Sequence, residues 1–335
     1  MLDANTIALI KATVPALQTH GEAITRHFYQ KLFSEHPEVR EFFSASHQAG
    51  GAQPRALAGA VLAYAAHIDR LEALKDALPL IIQKHVALGV QPEHYPVVGA
   101  CLLYAIKDVL GDAATPAILD AWAKAYGQLA DLLIAAEESV YREHASQPGG
   151  WRGPREFRVV RKVRESELIT SFHFEPVDGK PIAAFIPGQY ITLLLEIDGV
   201  KLRRNYSLSD APGQRHYRIS VKREPGGVAS NWLHDRVNEG DSLPLLPPSG
   251  SFTLTETPRP LVLLTAGVGI TPAISMLNAA AKSGRRIEFI HAALNSGAHA
   301  FREHVEQIAA LHPNVQPYFV YNEALAGDTP HATGF

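Results

Sequence analysis

The spacing of apolar residues changes character near the middle of this 335-residue chain, and that change bounds what it can fold into. From residue 5 to about 142, apolar side chains recur every three or four positions, the mark of helices with one buried face. The stretch Ser146-Gln-Pro-Gly-Gly-Trp-Arg-Gly-Pro154 then interrupts all regular spacing. Beyond it, short alternating runs at 157–161, 168–174, 190–195, 206–209 and 217–221 are separated by Asp178-Gly179, Asp198-Gly199 and Pro212-Gly213. Such a pattern predicts a small antiparallel barrel that closes near residue 257. Pro260-Leu-Val-Leu-Leu-Thr-Ala266 is continuous instead, as in a strand buried on both faces of a parallel sheet. Helix 272–282, strand 287–294, helix 298–311 and strand 315–321 complete a βαβαβ half of a doubly wound fold.

The first part reads as helices over 5–19, 22–33, 37–43, 53–69, 71–88, 92–110 and 115–142. Thr115-Pro116 and Gln91-Pro92 mark helix starts. Three domains are therefore expected: all-α over 1–145, β-barrel over 151–257, and α/β nucleotide-binding over 258–335. With 46% hydrophobic and 19% charged residues the chain is expected to fold throughout.

A net charge of −3 without a Lys/Arg run gives no footprint for nucleic acid. The single cysteine, Cys101, argues against a disulfide framework and a cysteine-ligated metal centre. Most of the 16 histidines, His47, His94 and His144 among them, fall in loops or at helix ends and read as surface residues. Met-Leu-Asp-Ala-Asn-Thr at the N-terminus, followed by Lys11 and Pro15, is no secretory signal, and no apolar run is long enough to span a membrane. A soluble, cytoplasmic monomer is expected.

His85 stands apart. Leu78, Ile81, Ile82, His85, Val86 and Gly89 share one helix face, so the imidazole points inward. It is either a core histidine with satisfied ring nitrogens or a metal ligand of the kind that holds haem iron. Tyr29 lies on the apolar side of its helix, and Gln53 and Leu57 lie one turn apart on another. A tyrosine hydroxyl, a glutamine amide and a leucine facing that histidine would suit a pocket for a diatomic gas.

The motifs HFYxKLF (27–33), PEVxxFF (37–43), QPRAL (53–57), QKHxxLGVxPEHY (83–95) and AWxxAYxxLAD (121–131) closely resemble the globin domain of bacterial flavohaemoglobins. The resemblance implies that His85 holds haem b, that Tyr29 and Gln53 steady O2, and that Phe43 and Leu57 pack the haem and shape ligand access. It also implies that Tyr95 and Glu137 hydrogen-bond around the imidazole, strengthening its push on the iron, and that Lys84 lies between haem and flavin.

Arg204-Asn205-Tyr206-Ser207 ends a barrel strand. Alone it could be an edge strand with a solvated arginine. In this setting it resembles the ferredoxin-reductase-like flavoproteins, in which the Arg pairs with the FAD pyrophosphate, the Tyr packs on the isoalloxazine and the Ser reaches its reactive nitrogen. Tyr190 matches a flavin-contacting position of flavohaemoglobins. Gly226-Gly227-Val-Ala-Ser230 reads as a glycine turn into a helix capped by Ser230, where the pyrophosphate would sit. Gly267-Val268-Gly269-Ile270-Thr271-Pro272 joins a buried strand to a helix, the context of a dinucleotide site. The family uses it for NADH or NADPH, with Thr271 near the nicotinamide ring.

Flavohaemoglobins continue past this sequence into further strands, a Cys-Gly-Pro motif and a C-terminal aromatic over the flavin. The chain therefore reads as C-terminally truncated, with an incomplete nucleotide domain and an unpaired apolar edge at 261–264. The expected activity is nitric oxide dioxygenase: NAD(P)H electrons pass through FAD to haem, and NO and O2 become nitrate. The rival is a binding protein that holds O2, NO or a fatty acid in the haem pocket, with at most residual flavin or haem reductase activity. A flavin reductase with a passenger α domain is the third reading.

Overall fold

Asp3 opens the first helix, α1 (Ala4–Ala12), by accepting from the Thr6 amide at 2.8 Å. The helix expected over 5–19 ends early because of Pro15, which inside a helix would clash with the Lys11 carbonyl and leave it without a donor. In the first turn of α2 (Val14–Glu35) the same proline costs nothing. Gly21, which falls between the helices expected over 5–19 and 22–33, instead lies within α2. There it faces α3 (Ala52–Ala66), where a Cβ would make ordinary contact with that of Ala58 at 3.5 Å. Thr25 seals this crossing by donating to the Pro54 carbonyl at 2.9 Å.

The computed structural model describes residues 2–43 and 50–334, so His47 lies outside the described residues. The chain forms two compact units, Met1–Arg142 with Val200–Arg203, and Glu143–Gly199 with Arg204–Phe335. In the first, a 3-10 turn at Pro37–Phe42 follows α2. The helix expected over 71–88 divides into a 3-10 turn (Leu71–Leu74) and α4 (Leu78–Leu88), with Pro79 in the first turn of α4. Gly89, at φ +73°, ends α4. Then come α5 (His94–Leu110) and α6 (Pro116–Ser146).

In the second unit, β1 (Arg155–Arg164), β2 (Ile169–Pro176), β3 (Tyr190–Ile197), β4 (Val200–Ser207), β5 (Tyr217–Lys222) and β6 (Ser242–Leu245) form an antiparallel sheet in the order β4-β3-β6-β1-β2-β5. It curls into a barrel when Leu208, just past β4, bridges to Ile219 of the opposite edge strand. Phe157, Phe172, Phe174, Ile191, Leu193 and Tyr217 fill its interior. β6 escaped the sequence reading because it is only four residues long and contains Pro244, which argues against a strand even though Leu243 and Leu245 alternate inward. A helix, α7 (Val228–Arg236), lies between β5 and β6.

The Gly/Pro stretch before β1 is an ordered joint. Trp151 is buried and donates to the Leu245 carbonyl at 3.3 Å, and Gly149 passes so near Ile182 that a Cβ would meet its carbonyl oxygen at 2.4 Å.

The α/β portion runs β7 (Leu261–Ala266), α8 (Ile270–Ala280), β8 (Ile287–Ala293), α9 (Arg302–Leu311), β9 (Val315–Tyr321) and β10 (Ala332–Thr333), in a parallel sheet ordered β10-β9-β8-β7. α9 starts later than expected because Phe301 takes φ +62° ahead of it. β7 is not buried on both faces: Leu263 is 6% exposed, but Val262 is 59% and Leu264 74% exposed. Right-handed crossovers, the general rule for such connections, would put α8 and α9 on one face, and among the described residues β7 is the edge strand, paired with β8. Among the described residues no helix is long and apolar enough to cross a membrane.

Candidate functional site

The site in the helical unit is built on α4, α5 and α6. His85 Nδ1 lies 2.7 Å from Glu137 Oε1 and 3.2 Å from the Tyr95 hydroxyl, which itself donates to Glu137 Oε1 at 2.6 Å. Burial, reinforced by the bond to Glu137, pushes the Tyr95 phenol well above its ordinary range, so it keeps its proton. That single proton goes to the carboxylate, so the proton between His85 and Glu137 belongs to Nδ1. The tautomer is thereby fixed, and Nε2 is left with its lone pair outward. Glu137 is only 2% exposed, and a carboxylate so buried needs such donors. Further bonds fix the frame: Tyr126 donates to the Tyr95 carbonyl at 2.7 Å and Tyr141 to the Val90 carbonyl at 2.6 Å.

Tyr29 stacks on Phe33 with centroids 5.7 Å apart and meets Phe43 edge-on at 5.6 Å. Burial drives its phenol upward, so it too stays a hydrogen-bond donor. Phe43 and Leu57 pack half-buried against the same apolar cluster as Tyr29, and Gln53 is half-buried in the first turn of α3. Around Tyr95 a second cluster gathers Leu78, Ile81, Ile82, Ala130 and Leu133. Leu57, Val61, Ile81 and Ile82 remain half-exposed within the helical unit. A flat apolar group with one open metal position fits this arrangement. Lys84 lies on the exposed face of α4.

In the barrel, Arg204 and Tyr206 alternate with Asn205 and Ser207 along β4 and so share one face. Burial pushes the Tyr206 phenol up to about 12. Asn205 is occupied otherwise: it accepts from Thr192 at 3.0 Å and is hydrogen-bonded to the Tyr190 hydroxyl. The Tyr190 ring lies on bare backbone, for a Cβ at Gly250, whose φ is +116°, would stand 2.7 Å from ring atom Cε1. Ser230 does not cap α7. The helix begins at Val228 with Gly227 as its N-cap and no side-chain cap, while Ser230 Oγ, already inside the first turn, accepts from the Glu224 amide at 3.2 Å. The amides at this helix start are therefore open toward an anion.

Gly267, at φ +51°, begins a 3-10 turn (Gly267–Gly269) between β7 and α8. Val268 is 39% exposed, whereas Ile270 is fully buried and Thr271 is 5% exposed. The Thr271 hydroxyl donates to the Val268 carbonyl at 3.1 Å, so it shapes the turn from within. Pro272 is half-buried in the first turn of α8. Gly269 caps α8 without a side-chain hydrogen bond.

Residues 26–133 match the Globin family, 156–254 the Oxidoreductase FAD-binding domain and 263–334 the Oxidoreductase NAD-binding domain. The flavohemoprotein of Pseudomonas aeruginosa is 59% identical over 98% of this chain and 84% of its own length. The chain belongs to the flavohemoproteins. The flavohemoprotein of Pseudomonas putida is 56% identical over 100% of this chain and 86% of its own. The crystal structure of a flavohemoglobin from Malassezia yamatoensis with bound FAD and heme superposes with TM-score 0.82 at 27% identity, covering 99% of this chain and 91% of that one. This flavohemoprotein is thus an oxidoreductase whose cofactors are haem, FAD and a nicotinamide dinucleotide.

Gly250 and Thr192 went unnoticed in the sequence, where Pro-Pro-Ser-Gly250 reads only as a turn. Unforeseen also is a group of Glu35, His36 and Cys101, whose ligand atoms lie within 4.8 Å of one another. Its donors are already engaged: Lys31 holds Glu35 at 2.5 Å, and His36 Nδ1 faces Glu38 at 3.3 Å. Burial raises the Cys101 thiol, keeping it protonated.

Proposed function

We propose that this flavohemoprotein is a nitric oxide dioxygenase, which converts NO and O2 to nitrate with electrons from NAD(P)H. The observation that carries this reading is the His85–Glu137–Tyr95 arrangement, which fixes an imidazole with Nδ1 protonated and Nε2 available. Haem, when bound, supplies an iron that binds diatomic gases and takes electrons singly, and FAD converts a two-electron hydride into single electrons.

The chain's own residues do the rest. His85 Nε2 would hold the haem iron. Glu137 holds the Nδ1 proton and increases the basicity of the ring. Tyr29, kept protonated, offers a hydroxyl donor to a gas in the pocket, with Gln53 as a second polar group and Leu57 and Phe43 as apolar walls. Arg204 would pair with the FAD pyrophosphate, assisted by the amides at the start of α7, and Tyr206 would offer its ring to the flavin. The Gly267–Gly269 turn and the uncapped start of α8 receive the nucleotide phosphates. One hydride supplies the two electrons that two molecules of NO consume on their way to nitrate.

The test is anaerobic. Protein loaded with FAD and haem under carbon monoxide is given NADH or NADPH while the Soret band is followed, and then NO uptake and nitrate are measured in air. Ferrous-carbonyl formation followed by one nitrate per NO supports the reading. If dithionite yields that spectrum and neither NADH nor NADPH does, the protein is a gas-binding globin and the proposal is wrong.

A further inference from the structure

Three residues past the flavin motif, Asp210 reaches the helix that follows the glycine turn. Its carbonyl accepts from Ser275 Oγ at 2.7 Å, and its Oδ1 accepts from Asn278 Nδ2 at 3.1 Å and from the Ala211 amide at 2.8 Å. Ser275 and Asn278 both lie on α8, the helix that begins at Ile270. The Asn278 amide is oriented from the other side: its Oδ1 faces His304 Nε2 of α9 at 2.7 Å. Burial lowers His304, so at neutral pH the ring is uncharged and donates from Nε2, which turns the Asn278 NH2 toward Asp210. From the barrel side, Arg218 Nη2 stands 3.8 Å from Asp210 Oδ1 and His216 Nε2 3.9 Å from Oδ2. The Arg218 guanidinium also lies 5.1 Å from the Phe301 ring centroid.

One carboxylate thus joins the strand that carries Arg204 and Tyr206 to the helix that carries the nucleotide turn. Hydride transfer requires donor and acceptor atoms about 3 to 3.5 Å apart, and a misplacement of about 1 Å can cost a hundredfold in rate. We infer that Asp210 is a positioning residue for hydride transfer: through Asn278 and Ser275 it sets the nicotinamide-binding turn against the flavin-binding strand. The inference rests on the reading that NAD(P)H reduces the flavin of this chain.

Anaerobic stopped-flow reduction of the FAD- and haem-loaded chain by NADH tests it, with FAD content and NADH affinity recorded beside the limiting rate. Asn278→Asp opposes two carboxylates. It should lower the limiting rate by about tenfold or more, with FAD content and NADH affinity held. The exchanged pair Asp210→Asn with Asn278→Asp restores a donor facing a carboxylate and should recover most of that rate. An unchanged rate in Asn278→Asp overturns the inference, as does an exchanged pair no faster than the single variant. Should Asn278→Asp fail to retain FAD, His304→Gln, which only loosens the amide, is read the same way: slower reduction supports the inference and wild-type reduction overturns it. A wild-type chain that neither NADH nor NADPH reduces would instead sink the underlying reading along with the inference.

Discussion

Glu137 Oε1 lies 2.7 Å from His85 Nδ1 with Glu137 itself only 2% exposed, so a buried acceptor stands behind an imidazole whose other side is open. Replacing Glu137 by Gln keeps the shape and removes the charge. Supporting groups of this kind are worth roughly 10- to 100-fold in metal affinity. Glu137→Gln should release haem to a scavenging apoglobin at least about tenfold faster, and it should shift the iron–carbonyl stretching frequency. Wild-type values for both would show that the contact leaves the ligand untouched.

Tyr29 has no other assigned task, since its ring packs on Phe28, Phe33 and Phe43 while its hydroxyl stays protonated. Tyr29→Phe preserves that packing and deletes one donor, worth about 1 kcal/mol or somewhat more. O2 should then leave about tenfold faster after rapid mixing with carbon monoxide. Equal release rates would remove Tyr29 from the pocket's polar groups.

The hydrogen-bonded group of His85, Tyr95 and Glu137 was legible in two ways: His85 from its place on an apolar stripe, Tyr95 and Glu137 only from the resemblance to flavohaemoglobins. What the sequence concealed is tertiary in origin. Gly21 falls between two expected helices until it is seen within α2, facing α3. Asp210 in Ser-Asp-Ala-Pro-Gly looks like an ordinary turn until α8 supplies Asn278. Ile270 and Thr271 belong to a recognisable glycine motif, yet spacing could not reveal that they point inward and shape the turn from beneath. The exposure of Leu264 depends on the side to which both crossovers turn.

Acid should loosen the nucleotide portion first. His291 and His299 are buried with ring centroids 4.6 Å apart, one bonded to Thr265 at 2.7 Å and the other to Tyr321 at 2.9 Å. Burial pulls His291 down to about 4 and His299 to about 3, the latter helped by its neighbour and Arg302. In the unfolded chain both protonate near pH 6.5, so below that pH the unfolded state binds the protons that the native state refuses. Stability is whole above about pH 6.5 and falls as pH drops toward 4, each group costing about 2 kcal/mol at pH 5. Melting followed by flavin fluorescence should drop by roughly 10 °C between pH 7.5 and 5. His299→Gln, which cannot titrate but still meets Tyr321, should show a shallower slope, with His291 and the barrel's His173, also pulled down to about 4 by burial, still contributing; an undiminished slope would place the acid sensitivity elsewhere.

Gly250 offers the sharpest separation of flavin from haem. Its φ of +116° is costly for any residue with a side chain, and a Cβ would stand 2.7 Å from the Tyr190 ring, which itself is tied to Asn205 beside Arg204. Gly250→Ala must therefore strain the backbone by about 1 to 3 kcal/mol or displace Tyr190, and the displaced ring would disturb β4, where Arg204 and Tyr206 are proposed to meet the flavin. FAD affinity should fall about tenfold or more, since each 1.4 kcal/mol is a factor of ten. The helical unit has its own core, so haem content and the ferrous-carbonyl spectrum after dithionite should not change. A variant that keeps its flavin would show that Tyr190 can yield without cost to the cofactor, and the packing of Tyr190 on Gly250 would then have no part in holding FAD.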